Sequence, residues 1–384
     1  MSTQSGPRSL YVHVPFCVRK CSYCDFYSVE RPTRDLAAAY LDALGHEARR
    51  TPAPQPLETV YIGGGTPTAL PPEMLAELFA MLRRRFDLSS VRELTVEVNP
   101  GTLDEHRATA LLLAGVNRIS LGVQSMNPAT LRTLGRIHGP DEVHEAVGLL
   151  RREELADNLS LDLMFGVPGQ TLGDCRRDVE AAIDLDPDHL SVYGLSIPPG
   201  TPMARLADAG ELSPASDEAY VAMFTSVREM LLRTSFEHYE ISSYALPDRR
   251  CLHNMTYWRN RPYIGLGPAA ASYVGGRRRV NVADVDEYVR RLRDGQSPVA
   301  TSETLSPERR ASETAMLNLR TSDGIALQEF REVTGFDPFA LFGEVIERHT
   351  ASGFLTADRD GGGSIHLTPA ALPIADSVMA DFVA

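Results

Sequence analysis

The stretch Tyr11-Val-His-Val-Pro-Phe-Cys17-Val-Arg-Lys-Cys21-Ser-Tyr-Cys24-Asp-Phe26 sets three thiols within eight residues, directly after a predicted β-strand at 9–16. Such spacing suits a metal cluster. A structural zinc site recruits a fourth Cys or His to close its tetrahedron. A [4Fe–4S] cubane held by three thiolates instead leaves one iron open to an exchangeable ligand. A zinc knuckle and three unrelated core thiols are the competing readings. With five Cys in 384 residues and no apolar signal core in the first 30, a disulfide framework is not expected, and a reducing, cytoplasmic compartment is.

The chain is 43% hydrophobic and 23% charged, ordinary values for a globular protein with room for a large domain and a small one. No apolar run approaches the roughly 20 residues that span a bilayer, which leaves peripheral membrane contact as the most to be expected. A formal charge of −13 argues against nucleic-acid partners, because those draw affinity from Lys and Arg neutralising phosphates.

Working outward from the Cys loop, β-rich runs alternate with amphipathic helical ones. Strands are predicted at 9–16, 59–65, 94–99, 118–124, 159–166 and 189–195, and helices at 33–50, 71–85, 104–114, 127–134, 141–152 and 171–185. Six βα units demand a parallel sheet with right-handed crossovers, and six are too few to close an eight-stranded barrel. The expectation is an α/β fold, an open partial (β/α)6 barrel over residues 1–296. From Ser297 to Pro307 the composition reads as a linker, followed by helices near 307–320, 326–334 and 338–352 and a Gly-turned hairpin at 354–367. That pattern predicts a winged-helix-like domain over 297–384. Residues 301–384 hold six Arg against thirteen Asp or Glu, which favours docking over DNA readout.

In barrels of this kind reactive groups collect at the C-terminal ends of the strands. The polar anomalies obey that rule. The Cys loop follows the first strand, Gly63-Gly64-Gly65-Thr66-Pro67 follows the second, Glu97 ends the third and Gln124 the fourth. Asp162 lies in the fifth, ahead of Gly166-Val-Pro-Gly-Gln-Thr171, and Tyr193-Gly194 ends the sixth. Glu97, Gln124, Arg136 and Asp162 sit in or beside apolar runs, where burial without a partner costs several kcal/mol; a shared polar ligand or a core hydrogen-bond network would satisfy them. The glycines allow a ligand close to the backbone or simply a tight turn. Tyr11, His13 and Tyr23 flank the cluster motif, Cys175 and Cys251 read as inert buried thiols, and His253 is a candidate iron ligand or a loop cap.

The CxxxCxxC loop with an aromatic before its last Cys, together with Gly63–Pro67, resembles the radical S-adenosylmethionine (SAM) proteins. Further along, Glu97-Val-Asn-Pro, Gly122-Val-Gln124-Ser, Asp162-Leu-Met-Phe-Gly-Val-Pro-Gly-Gln-Thr and Gly265-Leu-Gly-Pro extend this to the oxygen-independent coproporphyrinogen III dehydrogenase-like family, across essentially the whole chain. The resemblance implies a [4Fe–4S] cluster on Cys17, Cys21 and Cys24. It implies SAM beside Tyr11, Gly64 and Glu97, with Gly65, Thr66, Gln124, Arg136 and Asp162 at further SAM-contacting positions, and Tyr23, Gly194 and Ala271 beyond those.

Within that family the dehydrogenase branch has a fourth Cys where this chain has Phe26. A second, heme-binding chaperone branch carries the segment seen here as His253-Asn254-Met-Thr-Tyr257-Trp258. The resemblance therefore implies a chaperone that binds heme, with His253 toward it, and delivers it to an acceptor such as a respiratory enzyme. Oxidative decarboxylation of coproporphyrinogen III by a 5′-deoxyadenosyl radical is the enzyme alternative, and an acidic zinc-containing interaction protein is the third reading.

Overall fold

Strict alternation of side chains along six strands builds the fold. In the computed structural model, which describes residues 6–53, 55–155, 157–359 and 362–383, these are β1 (Ser9–Val14), β2 (Thr59–Gly64), β3 (Glu93–Val98), β4 (Arg118–Gln124), β5 (Leu159–Phe165) and β6 (His189–Gly194). They pair in parallel, in chain order. Their crossovers are α1 (Arg34–Arg50), α2 (Pro72–Arg85), α3 (Glu105–Leu113), α4 (Pro128–Leu134) with α5 (Pro140–Arg152), and α6 (Leu172–Asp184).

One face of every strand is aliphatic. Leu10, Val12, Val60, Ile62, Val96, Ile119, Leu121, Leu161 and Leu190 share one continuous core with Leu44, Leu75, Leu78, Leu111 and Val179 of the helices. Each such side chain contributes about 1.5–3 kcal/mol on burial. The alternate positions point the other way and are polar or aromatic: Tyr11 and His13, Thr59 and Tyr61, Glu93 and Glu97, Arg118 and Ser120, Ser160 and Asp162, His189 and Tyr193. The inner face of the sheet is thus the functional face.

The structure adds to the expected six strands. Beyond β6 come α7 (Pro202–Asp208), α8 (Asp217–Leu232), the short antiparallel strands β7 (Glu237–Glu240) and β8 (Ser243–Ala245), and α9 (Leu252–Trp258). β9 (Ile264–Leu266) then returns to pair in parallel with β1, giving a nine-stranded sheet in the order β9-β1-β2-β3-β4-β5-β6-β8-β7. The first strand also stops at Val14, short of the expected residue 16. Phe16–Cys17 instead pairs with Val29–Glu30, which closes the base of the Cys loop.

The expected linker is another correction. A three-stranded antiparallel sheet is formed by β10 (Ala271–Val274), β11 (Arg277–Asn281) and β12 (Val299–Thr304), with α10 (Val285–Arg293) between the last two. Residues 299–304 therefore belong to a sheet. The C-terminal elements run in the winged-helix-like order expected of them: α11 (Pro307–Leu319), β13 (Ile325–Ala326), α12 (Leu327–Thr334), α13 (Pro338–Ala351), β14 (Leu355–Ala357), β15 (Ser364–Leu367) and α14 (Ala375–Ala380). The three short strands form their own sheet, and Leu319, Phe330, Ile346, Ile365 and Phe382 make a separate core. Residues 360–361, in the turn of the expected hairpin, lie outside the described residues.

One buried carboxylate fastens α1 to the open edge of the sheet. Glu47 accepts hydrogen bonds from the Gly267 N–H (2.8 Å), Asn281 Nδ2 (2.7 Å) and the Tyr288 hydroxyl (2.5 Å). Removing the acceptor strands three buried donors, each of which costs about 1–3 kcal/mol when unsatisfied. Glu47→Ala is expected to lower stability by about 3 kcal/mol. A thermal midpoint equal to that of the wild-type protein would contradict this role.

Candidate functional site

The Cys loop is held from three sides. Ser22, between the second and third thiols, donates its backbone N–H to Leu134 O (3.0 Å) and its hydroxyl to Thr133 O (2.8 Å), while its carbonyl accepts from the Met203 N–H (2.9 Å). The Arg31 N–H donates to Cys17 O (2.8 Å) at the base of the loop. These bonds orient Cys17, Cys21 and Cys24 onto the rim of a cavity of about 440 Å³ at the C-terminal ends of the strands. Among the described residues no three His, Cys, Asp or Glu side chains are gathered as a single-ion site. Three thiols on one rim are the donor set that a [4Fe–4S] cluster with one open iron requires.

The electrostatics agree with that donor set. Burial, ahead of every other influence, pushes the Cys24 thiol up to about 11 and raises Cys17 as well. Both thiols therefore keep their protons until a metal displaces them. Arg136 supplies compensating positive charge: its Nη1 lies 3.2 Å from Cys21 Sγ and its Nη2 donates to Gly122 O at 2.6 Å. Arg136 Nε is buried without a hydrogen-bond partner, a donor left over for a bound group. Thr66 Oγ1 lies 3.7 Å from Cys17 Sγ.

Opposite the thiols, Glu97 sits against the backbone of the glycine run. It accepts from the Tyr61 hydroxyl (2.8 Å) and from the Gly64 N–H (3.0 Å). Gly63 makes that approach possible, since a Cβ there would lie 2.6 Å from the carboxyl carbon, and Gly64 holds a left-handed φ of 107°. Burial pushes the Glu97 carboxyl up to about 7, against the pull of those two hydrogen bonds. Asp162 accepts from Ser120 Oγ at 2.8 Å and is likewise raised, chiefly by burial. Deeper in the sheet lies Arg118, 2% exposed, whose Nε has no hydrogen-bond partner. Its guanidinium offsets the carboxyl-rich floor. The cavity thus offers carboxylates, glycine backbone and aromatic rings beside a thiol triad, which fits a cationic, polar ligand reaching the cluster.

Nine of the expected cofactor residues line this cavity: Tyr23, Gly64, Gly65, Thr66, Glu97, Gln124, Arg136, Asp162 and Gly194. Three do not. Tyr11 and Ala271 line a second cavity of about 640 Å³ with His13, Tyr27, Tyr257, Trp258, Tyr263 and Leu317 of the C-terminal domain. Asp25 and Phe26 border both cavities, and Phe26 is 62% exposed. His253 reaches neither. It is fully buried, with Nδ1 2.9 Å from Thr59 Oγ1 and Nε2 2.8 Å from the Tyr257 hydroxyl, so both ring nitrogens are already engaged. Burial, assisted by the Arg118 charge, pushes its imidazole down to about 3. Sequence reading missed Tyr61 and Ser120, although their inward register, two residues on from Thr59 and Arg118, was a readable signal; Tyr193, noted at the end of its strand, lines the cavity as well.

The C-terminal domain grips the His253–Trp258 segment. Asn318 Nδ2 donates to Trp258 O (2.8 Å), the Arg320 guanidinium lies 4.4 Å over the Trp258 ring, and Asn260 Nδ2 donates to Thr314 Oγ1 (3.0 Å). That domain is thereby a wall of the aromatic cavity.

Comparison with known proteins agrees with this anatomy. Residues 11–182 match the radical SAM superfamily, and residues 305–374 match the HemN C-terminal domain. A Bacillus subtilis protein named heme chaperone HemW is 36% identical over 91% of this chain and 92% of its own length. The Escherichia coli protein of the same name is 40% identical over 69% of each chain. The structure of coproporphyrinogen III oxidase (HemN) from Escherichia coli, a radical SAM enzyme, superposes with a TM-score of 0.84 over 100% of this chain and 91% of that one. At 21% identity this last likeness speaks to the fold alone. The motif loops, the open sheet and the full-length relatives together place this chain in the HemW family of the radical SAM superfamily.

Proposed function

We propose that this protein is a heme chaperone, which binds one heme in the aromatic cavity beside a cluster-and-SAM site and passes it to an acceptor protein in the cytoplasm. The observation that carries the reading is the juxtaposition of two cavities across Asp25 and Phe26. A flat macrocycle is recognised by stacked aromatic side chains, and the second cavity is walled by Tyr11, Tyr27, Tyr257, Trp258 and Tyr263. Its volume lies within the range of about 300–1,000 Å³ usual for small-molecule sites. The relatives' names point the same way. Phe26 supports it further, being an exposed aromatic where the dehydrogenase branch has a fourth Cys.

In this reading Cys17, Cys21 and Cys24 hold a [4Fe–4S] cluster, which supplies one-electron chemistry and an open iron for SAM. Arg136 balances the charge of the thiolates, and Glu97 with the Gly64 backbone orients SAM. Ala replacement of Cys17, Cys21 or Cys24 is expected to abolish the cluster, while Cys175→Ala and Cys251→Ala leave it intact. Full iron and sulfide content in the three loop variants would remove the ligand assignment.

Glu97 gives SAM binding a pH dependence whose sign follows from its raised carboxyl. Below about pH 7 the side chain holds a proton and loses its attraction for a cation. SAM affinity is therefore expected to rise with pH up to about 7 and level off above it, falling about tenfold per unit on the acid side. Calorimetric titration of the reconstituted protein measures this. A dependence just as steep in Glu97→Gln would assign it to another group.

Chaperone and dehydrogenase separate in one comparison. Purified protein is expected to bind about one heme per chain, with a shifted Soret band, and to leave coproporphyrinogen III unchanged. Conversion to protoporphyrinogen IX without heme binding would replace the chaperone reading with the enzyme.

A further inference from the structure

The residue that meets the iron of the bound heme can be read from the hydrogen bonds inside α9, an inference that rests on the heme-binding reading above. His253 is not free to do so. Its two ring nitrogens are committed to Thr59 and Tyr257, and its backbone N–H donates to Glu93 Oε1 at 2.9 Å. The ring is wedged between Tyr61, 5.3 Å away in a tilted arrangement, and Tyr257, 5.0 Å away and perpendicular. Turning it into the cavity would break both hydrogen bonds and displace Tyr257.

Tyr257 stands one helical turn further on, on the same face of α9. It lines the aromatic cavity, packing edge-on against Tyr263 at 4.7 Å. A phenol bonded to an imidazole is a ligand with its proton acceptor attached, and tyrosinate is an established proximal ligand of ferric heme. We propose that Tyr257 is the axial ligand of ferric heme in this protein, and that His253 and Thr59 are positioning residues that accept and relay its proton.

The step balances without a change of oxidation state. The Tyr257 O–H bond breaks as the bond from oxygen to ferric iron forms, and the proton passes to His253 Nε2. Nδ1–H then gives its proton to the Thr59 hydroxyl, which releases its own to water. The imidazole ends neutral, with Nε2–H donating to the iron-bound oxygen. Water is at hand. Thr59, with Ser9 and Thr256, lines a third cavity of about 410 Å³ at the N-terminal ends of the strands, away from the heme. Ser9 Oγ and Thr256 Oγ1, 3.0 Å apart, continue the hydroxyl lining there.

The test is resonance Raman spectroscopy of the ferric heme complex of the full chain, made with ordinary and with ring-deuterated tyrosine. Iron-phenolate bands that shift on labelling are expected in wild type, and this measurement needs no variant. Tyr257→Phe is expected to lose the bands and at least tenfold in heme affinity while keeping its iron and sulfide content. His253→Gln is expected to keep them at shifted frequency with slower heme uptake, because the ligand remains and its proton acceptor does not. An imidazole-ligated spectrum abolished in His253→Gln, or phenolate bands surviving in Tyr257→Phe, would overturn the assignment and leave the heme-binding reading standing. A wild-type protein that binds no heme would overturn both.

Discussion

The two-residue period of the parallel strands is the constraint on which the rest of the structure depends. Because Leu10, Val12, Val60, Ile62, Leu121 and Leu161 all face the helices, every intervening residue is forced onto the inner face of the sheet. In closed eight-stranded barrels that face is filled with branched aliphatic side chains. Here it carries Tyr61, Glu97, Arg118, Asp162 and His189, so the interior is a polar shaft that opens at the C-terminal ends of the strands. A slip of one residue in any strand would exchange the two sets and destroy core and site together.

Charge along that shaft is graded. At the rim Arg136 faces the thiols; below it Glu97 and Asp162 are held by Tyr61, Gly64 and Ser120; below them Arg118 offsets the acids. Farther down, His253 and Thr59 join the interior to the N-terminal cavity. Burial raises both carboxyls, so their ionisation leans on the positive charge of Arg118 and on the hydrogen bonds they accept. The fold invests its polar groups in holding ligands, and the aliphatic outer core supplies the stability that permits this.

Most of the barrel was legible because long alternating strands followed by Gly or Asn punctuation leave a strong pattern. β4 falls on the expected residues 118–124, and the other five core strands differ from expectation by one or two residues. The short edge strands β7, β8 and β9 were not legible, since three or four residues show no period. Val299–Thr304 read as a linker because it is rich in Ser and Thr and largely exposed; its strand character comes from pairing with Arg277–Asn281, a contact that no local signal encodes. Among site residues, the thiols, glycines and carboxylates announced themselves through spacing. His253 is buried with both ring nitrogens engaged, a placement its motif does not announce. The i, i+4 spacing to Tyr257 was visible and permits a hydrogen bond between the two, whereas the tertiary partner Thr59 was hidden.

In the proposed reading heme and the iron–sulfur cluster occupy neighbouring cavities divided by Asp25 and Phe26. The most direct test of this juxtaposition is the electron paramagnetic resonance of the reduced cluster in the protein carrying one high-spin ferrous heme, compared with the same complex after carbon monoxide makes that heme diamagnetic. Two spins held that close are expected to couple, broadening the cluster signal and speeding its relaxation relative to the carbon monoxide form. A cluster signal with the same width and relaxation in both forms would contradict that juxtaposition.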